Sequence, residues 1–162
     1  MEKVKEGGKA GVIAGIIYAI MTTIVVAALE YAFKTSIMKA VSSELPSGTR
    51  VNINALYDLT VEGSIVVAVI FGIILGLVLG LIFGAVSDRI PGKSGIAKGV
   101  VFGFLLWLVL HVLADSLNLK YGATFYFTDI SLGLATSLFY GVLLGKFFER
   151  GMNSLAPKLS RL

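Results

Sequence analysis

The residues of this sequence best suited to chemistry are one histidine and a nearby carboxylate. His111 is the only histidine in the chain, and Asp115 follows it by four residues. Residues four apart in a helix share a face, so the two side chains can form a histidine–carboxylate pair. They lie at the end of an apolar run, where an ionisable group is costly enough to suggest a function. The pair therefore predicts a site that binds a cation or passes protons.

Three further carboxylates stand at the ends of apolar runs. They are Glu30, Glu62 and Asp129. We expect them at the same, outer side of the chain, where they would form a funnel with the histidine pair for a small cation or for protons.

A structural interpretation explains the same residues without a ligand. Glu62 and Asp129 would then cap the beginnings of their helices, and Glu30 would pair with Lys34. Both interpretations stay open.

The chain lacks the residues from which most catalytic centres are built. It has no cysteine, and one histidine is a thin ligand set for zinc, copper or iron. It contains no nucleophile elbow, phosphate-binding loop or dinucleotide fingerprint. We therefore expect no enzyme activity, no metal and no cofactor.

The elements that must position these residues are long apolar segments. The sequence is 56% hydrophobic and 15% charged, whereas a soluble domain has about 25% charged residues. Four apolar runs predict transmembrane helices at about 10–33, 63–87, 97–118 and 127–149, with an outer loop at about 34–62. The predicted fold is an all-α polytopic membrane protein. Residues 1–162 would form a single membrane domain, an antiparallel bundle of four transmembrane helices.

The distribution of basic residues predicts the orientation of this bundle. Ten of the 14 Lys and Arg residues lie in the N-terminal segment, the loop between the second and third helices, and the C-terminal segment. Basic residues favour the cytoplasmic side, so both termini are expected there, in a cell or inner membrane. The net charge of +4 then fits contact with anionic lipid headgroups and gives no reason to expect nucleic acid.

Small residues recur every four positions along each predicted helix. Such faces let helix backbones approach closely in lipid, where hydrophobicity does not drive helices together. The glycines are Gly11 and Gly15 on the first helix, Gly72, Gly76, Gly80 and Gly84 on the second, Gly99 and Gly103 on the third, and Gly133, Gly141 and Gly145 on the fourth. They predict small-xxx-small packing within one bundle. The alternatives are a contact between copies of the chain, and a sliding interface or narrow pore.

The outer loop and two resemblances complete the prediction. Apolar residues recur over 51–59, which fits a surface amphipathic helix or a cap over the bundle. The stretch "GAVSDRIPGK" looks like the signature after the second helix of major facilitator transporters, which implies transport. The segments "SDRIPGKSGIAKG", "LLWLVLH" and "FYGVLLGKFFER" resemble small inner-membrane proteins of the YagU/YqhR type, over about residues 63–150. That resemblance implies a four-helix membrane protein and no particular substrate.

Together these features favour a non-catalytic membrane protein. It would be an accessory or structural subunit of a membrane complex, or a bundle that associates with itself. The alternative is a small-cation or proton transporter that uses His111, Asp115 and the outer carboxylates.

Overall fold

The computed structural model describes residues 1–46, 52–113 and 119–159, with side chains described as far as residue 155. Five α-helices make up these ranges, and no strand occurs in them. They are α1 (Glu2–Ala32), α2 (Lys34–Glu44), α3 (Ile53–Val86), α4 (Gly95–Trp107) and α5 (Ala123–Leu159), and α4 continues directly into a π-helical segment (Leu108–Leu113). Asp115, half of the predicted histidine pair, lies outside the described residues.

Four of these elements are long and apolar enough to cross a membrane. They are α1, α3, α4 with its π segment, and α5 as far as Leu155, with 31, 34, 19 and 33 residues. A span needs about 20 residues. The prediction of an all-helical chain with four long apolar helices is confirmed at this level. The passage of these helices through a lipid bilayer stays a prediction.

The helices extend further than the apolar runs that predicted them. The first begins eight residues earlier than expected, and the last continues ten residues beyond 149. Much of the predicted outer loop is also helical, as α2 and as the first turns of α3. Asn52 begins α3, because its side-chain oxygen accepts hydrogen bonds from the N–H groups of Asn54 and Ala55 at 3.0 and 3.3 Å. The expected amphipathic segment is therefore part of α3.

The four long helices lie side by side in the order α3, α1, α5 and α4, and each runs antiparallel to its neighbour. The helix α3 packs on α1, α4 packs on α5, and α1 packs on α5. We call the end that carries both termini the inner end, and the opposite end the outer end. A core cluster with the fully buried Phe83 and Leu144 lies toward the inner end, and a second cluster lies at the outer end. There α2 covers the bundle, because Ile37 packs with Leu29 and Tyr57.

Glycines bring the backbones of α1 and α3 into contact. A Cβ atom added at Gly76 would lie 2.5 Å from the Cα atom of Gly15, and one added at Gly72 would lie 2.7 Å from the Cβ atom of Ala19. The same antiparallel register continues toward the inner end, where Gly80 meets Gly11. No larger residue fits at these positions unless the helices separate.

A second glycine contact joins α4 to α5. Here Gly99 lies against Gly141, and Gly103 lies against Ser137. Gly145 faces Gly95, a position at which the sequence pattern had not predicted packing. The recurring glycines Gly72, Gly76, Gly80 and Gly84 of α3 thus face α1, and the glycines of α4 face α5.

Candidate functional site

His111 lies in the π-helical segment and packs against a glycine of α5. A Cβ atom added at Gly133 would lie 2.6 Å from both Cγ and Nδ1 of the imidazole. Gly133 was predicted to let two helix backbones meet, but in the structure it makes room for an aromatic side chain. The position of the only histidine therefore depends on the absence of a side chain at residue 133.

Two features turn His111 toward α5. The indole Nε1 of Trp107 donates a hydrogen bond to the backbone oxygen of Ile130 at 2.9 Å, which fixes the end of α4 to α5. The helix then changes to π-helical hydrogen bonding over Leu108–Leu113. Such segments are rare and are frequently found at functional sites. Because a π turn is wider than an α turn, it changes which residues after Trp107 face the neighbouring helix.

Two of the predicted outer carboxylates share one cavity. Glu30 from α1 and Asp129 from α5 line an open space of about 190 Å³, whose walls include the rings of Tyr121 and Phe125. The Oε2 atom of Glu30 is buried and accepts no hydrogen bond from the described part of the chain. Asp129 lies one helical turn from Gly133, the residue that His111 contacts. The cavity therefore has the carboxylates, and the aromatic walls, that suit a positively charged ligand.

The capping roles predicted for Glu62 and Asp129 are wrong, because neither residue begins a helix. Glu62 is exposed within α3, which begins nine residues before it, so it cannot cap the helix. Asp129 likewise lies in the second turn of α5 and not at its beginning. Among the described residues, no ion pair joins Lys34 to Glu30, and the Lys34 ammonium group lies 4.7 Å from the centre of the Tyr57 ring. Glu62 also lies outside the cavity lining, so only part of the predicted funnel comes together.

The inner end contains a buried carboxylate that the sequence analysis had not singled out. Glu6 is 7% exposed, and its Oε1 atom pairs with Nζ of Lys9 at 2.6 Å. Its other oxygen occupies the space that a side chain would need at Gly151 of α5. Gly151 lies beyond the apolar run of the last helix, and this isolated glycine was the one sequence signal for the contact.

Two other charged contacts join chain segments at the inner end. The Oε2 atom of Glu149 accepts a hydrogen bond from the N–H group of Gly95 at 3.1 Å, so α5 caps the beginning of α4. The Asp88 carboxylate, in the turn after α3, pairs with the ammonium group of Lys3 in α1 at 2.6 Å. The hydrogen bond from the Lys3 ammonium lowers the pKa of the Asp88 carboxyl below its usual value. These contacts connect helices, and a cavity of about 120 Å³ lies beside the contact of Glu149 with Gly95.

The site contains no ligand set for a metal ion. Among residues 1–46, 52–113 and 119–159, no three His, Asp or Glu side chains come together as a metal site would require. The chemistry available at the outer cavity is therefore that of two carboxylates and aromatic rings, with the imidazole of His111 nearby.

Four helices that are long and apolar enough to cross a membrane indicate the class of helical, multi-pass membrane proteins. Comparison with known families gives a more particular assignment. The chain belongs to a family of unknown function, DUF6789, whose model matches residues 1–156. No curated protein and no solved structure matches it.

Proposed function

We propose that this protein is a non-catalytic integral membrane protein that acts as an accessory or structural subunit of a membrane complex. One observation supports the proposal above all others. The glycine faces of the four long helices meet inside a single chain, α3 on α1 and α4 on α5, and these close contacts serve to hold the helices together. The chain would cross the cell membrane four times, with both termini in the cytoplasm.

The surface available to a partner follows from the same packing. Because the glycines that recur every four positions are used within the chain, the described residues offer no such glycine face to a second copy. The face of α3 that points away from the other helices instead carries large exposed apolar side chains. They include Val67, Ile70, Phe71 and Ile74. In a membrane this face would contact lipid or an apolar helix of another protein. The basic residues of the inner end would contact anionic headgroups.

The absence of cysteine makes the topology simple to test. Single substitutions Ser42→Cys in α2 and Ser154→Cys in α5 place one thiol at an exposed position at each end of the bundle. A membrane-impermeant maleimide added to intact cells should label the first variant, and should label the second only after the membrane is opened. The reverse pattern, or equal labelling of both, would contradict the proposed orientation.

The proposed subunit role can be tested by measuring the mass and composition of the particle that the protein forms in detergent. After extraction from its native membrane in mild detergent, the protein should elute with a second protein in a fixed ratio. Static light scattering with subunit identification measures that ratio. Elution as a monomer with no stoichiometric partner contradicts the subunit role, and elution as a pure oligomer supports self-association in its place.

A second candidate function is the transport of a small cation or of protons. The shared cavity of Glu30 and Asp129 favours it, as does the imidazole of His111 one turn further into the bundle. In liposomes that contain a pH-sensitive dye, Glu30→Gln combined with Asp129→Asn should abolish proton flux. The matched control is Glu62→Gln, because this carboxylate is exposed outside the cavity. Equal flux from all three proteins, or no flux above empty liposomes, excludes this function.

A further inference from the structure

A polar cavity lies at the outer end of the bundle, between α2 and the turn that leads into α5. It has a volume of about 340 Å³, within the range of about 300–1,000 Å³ that is usual for ligand sites. Lys39 of α2 and Lys120 of the turn line it, and no acidic side chain of the described residues does. Because Tyr121 lines both this cavity and that of Glu30 and Asp129, two neighbouring cavities have linings of opposite charge.

One wall of the cavity is a polar face of α2. Ser36, Lys39 and Ser43 line the cavity, and their spacing of three and four residues places them on one face of the helix. Another face of α2 is held in the outer core cluster, where Ile37 is 5% exposed. The packing of that apolar face fixes the helix, and therefore fixes the polar wall.

The other wall is a short turn that a glycine directs into α5. Gly122 has a φ angle of +106°, which residues with a side chain rarely adopt. Nζ of Lys120 lies 2.9 Å from Oε1 of Glu44, so an ion pair joins this turn to the end of α2. Both side chains of the pair are exposed, and such pairs are weak. An ammonium group has three donors, so Lys120 keeps donors for a ligand.

Two more donors of this cavity are not used within the described part of the chain. The ammonium group of Lys39 forms no hydrogen bond or ion pair with a described residue, and the hydroxyl of Ser36 donates to none. The hydroxyl of Ser43, in contrast, donates to the backbone oxygen of Ala40 at 2.7 Å. The cavity thus offers two ammonium groups and one hydroxyl to an anion.

We propose that this cavity binds a phosphate group, either in the headgroup of a phospholipid or as free phosphate. Lysine is a common ligand of phosphate. A phosphate group carries oxygen atoms in several directions, so it can accept hydrogen bonds from Lys39 and Lys120 on opposite walls, whereas the two oxygens of a carboxylate lie on one side. Several water molecules, each about 30 Å³ in the liquid, fit beside it. The lipid source rests on the membrane embedding proposed above, and the free-phosphate source does not.

The test is calorimetric titration of the full chain with inorganic phosphate, in a neutral detergent without phosphate. The wild-type protein should bind phosphate at one site and more tightly than acetate. Lys39→Gln should weaken the binding of phosphate about tenfold or more, because it removes a hydrogen bond between charged groups. The matched control is Lys34→Gln, which makes the same charge change on the same helix. Lys34 lies over the Tyr57 ring and does not line the cavity, so this variant should bind as the wild type does.

A second arm distinguishes the two sources of phosphate. Nanodiscs are made with dioleoylphosphatidylglycerol and with dioleoylglycerol, which has the same acyl chains and no phosphate. In native mass spectrometry, the wild type and Lys34→Gln should retain the phospholipid in preference to dioleoylglycerol, and Lys39→Gln should lose that preference. This pattern identifies a lipid headgroup as the ligand, whereas calorimetric binding without it identifies free phosphate.

The proposal is overturned if Lys39→Gln equals the wild type in both arms, or if the wild type binds neither ligand. Equal affinity for phosphate and acetate also overturns it, and so does an equal loss in Lys34→Gln. If Lys39→Gln does not fold, Lys120→Gln from the opposite wall should show the same loss, and unchanged binding by that variant overturns the proposal. Calorimetry in detergent does not depend on orientation, so failure of this site and failure of the cysteine-labelling test are distinguishable.

Discussion

Replacement of one glycine between α1 and α3 tests whether their backbone contact holds the bundle together. In Gly80→Ala, the new Cβ would meet the backbone oxygen of Gly7 and would lie 2.6 Å from the Cα atom of Gly11. Ordinary contact begins at 3.4 Å, so the two helices must separate by at least about 0.8 Å. A gap of this size forfeits a quarter to a half of the dispersion energy of the neighbouring contacts.

The size of the effect follows from two opposing terms. Overpacking costs about 1–3 kcal/mol, and both neighbours are backbone, which cannot move to another rotamer. We therefore take a cost of about 2–3 kcal/mol. Alanine regains about 1 kcal/mol through its higher helix propensity. The net loss in the free energy of unfolding should be about 1–2 kcal/mol.

The same helix offers a matched control. Gly63 of α3 has no atom within 4 Å of an added Cβ. Gly63→Ala should keep the propensity gain of up to about 1 kcal/mol and pay no packing cost. Reversible unfolding in mixed detergent, followed by the fluorescence of Trp107, measures both variants. If Gly80→Ala is as stable as Gly63→Ala, the contact between α1 and α3 does not stabilise the bundle and the reasoning fails.

Three further predictions concern other contacts. Trp107→Phe removes the hydrogen bond to α5 and should lower the free energy of unfolding by about 1 kcal/mol. Circular dichroism in the same detergent titration measures this change, and an unchanged midpoint would contradict the prediction. Gly133→Ala should destabilise the wild-type protein but should have no such effect in the His111→Ala background. A double-mutant cycle should therefore give a coupling energy of about 1 kcal/mol. Additive effects would show that the imidazole ring and residue 133 are not in contact. Lys3→Gln should raise the pKa of Asp88 toward its usual 3.8, and carboxyl NMR titration measures this change. Because the pKa of Asp88 is lowered in the folded protein, the Lys3–Asp88 pair stabilises the fold at pH values above the usual pKa of Asp88. This stabilisation is lost as the pH falls through the lowered pKa. An unchanged titration of Asp88 in Lys3→Gln would contradict the pairing.

The four long helices could be predicted because hydropathy reports where a chain is apolar. It does not report where a helix ends. The polar residues before Ala10 and after Glu149 remain helical, since they continue a helix already begun and make contacts of their own, such as that of Glu6 with Gly151. The bounds of these helices therefore depend on tertiary contacts.

The candidate site was harder to predict for a related reason. Residue spacing places His111 on a face only if the helix is regular, and the π-helical segment changes that face. Spacing also marked Gly133 as a packing residue without identifying what it packs against, which is the imidazole. The nearness of Glu30 to Asp129 depends on how α1 docks on α5, and no local pattern contains that information.

The division of the glycine contacts bears on how the protein would be assembled in a membrane. The pair α1 and α3 contains every glycine needed to close its own contact, and so does the pair α4 and α5. Each pair is a hairpin that can close as soon as its second helix has been synthesised. The turn from Asp88 to Ser94 is the one covalent link between these hairpins. Biogenesis then reduces to the insertion of two self-sufficient hairpins and one late joining step, the docking of α1 on α5.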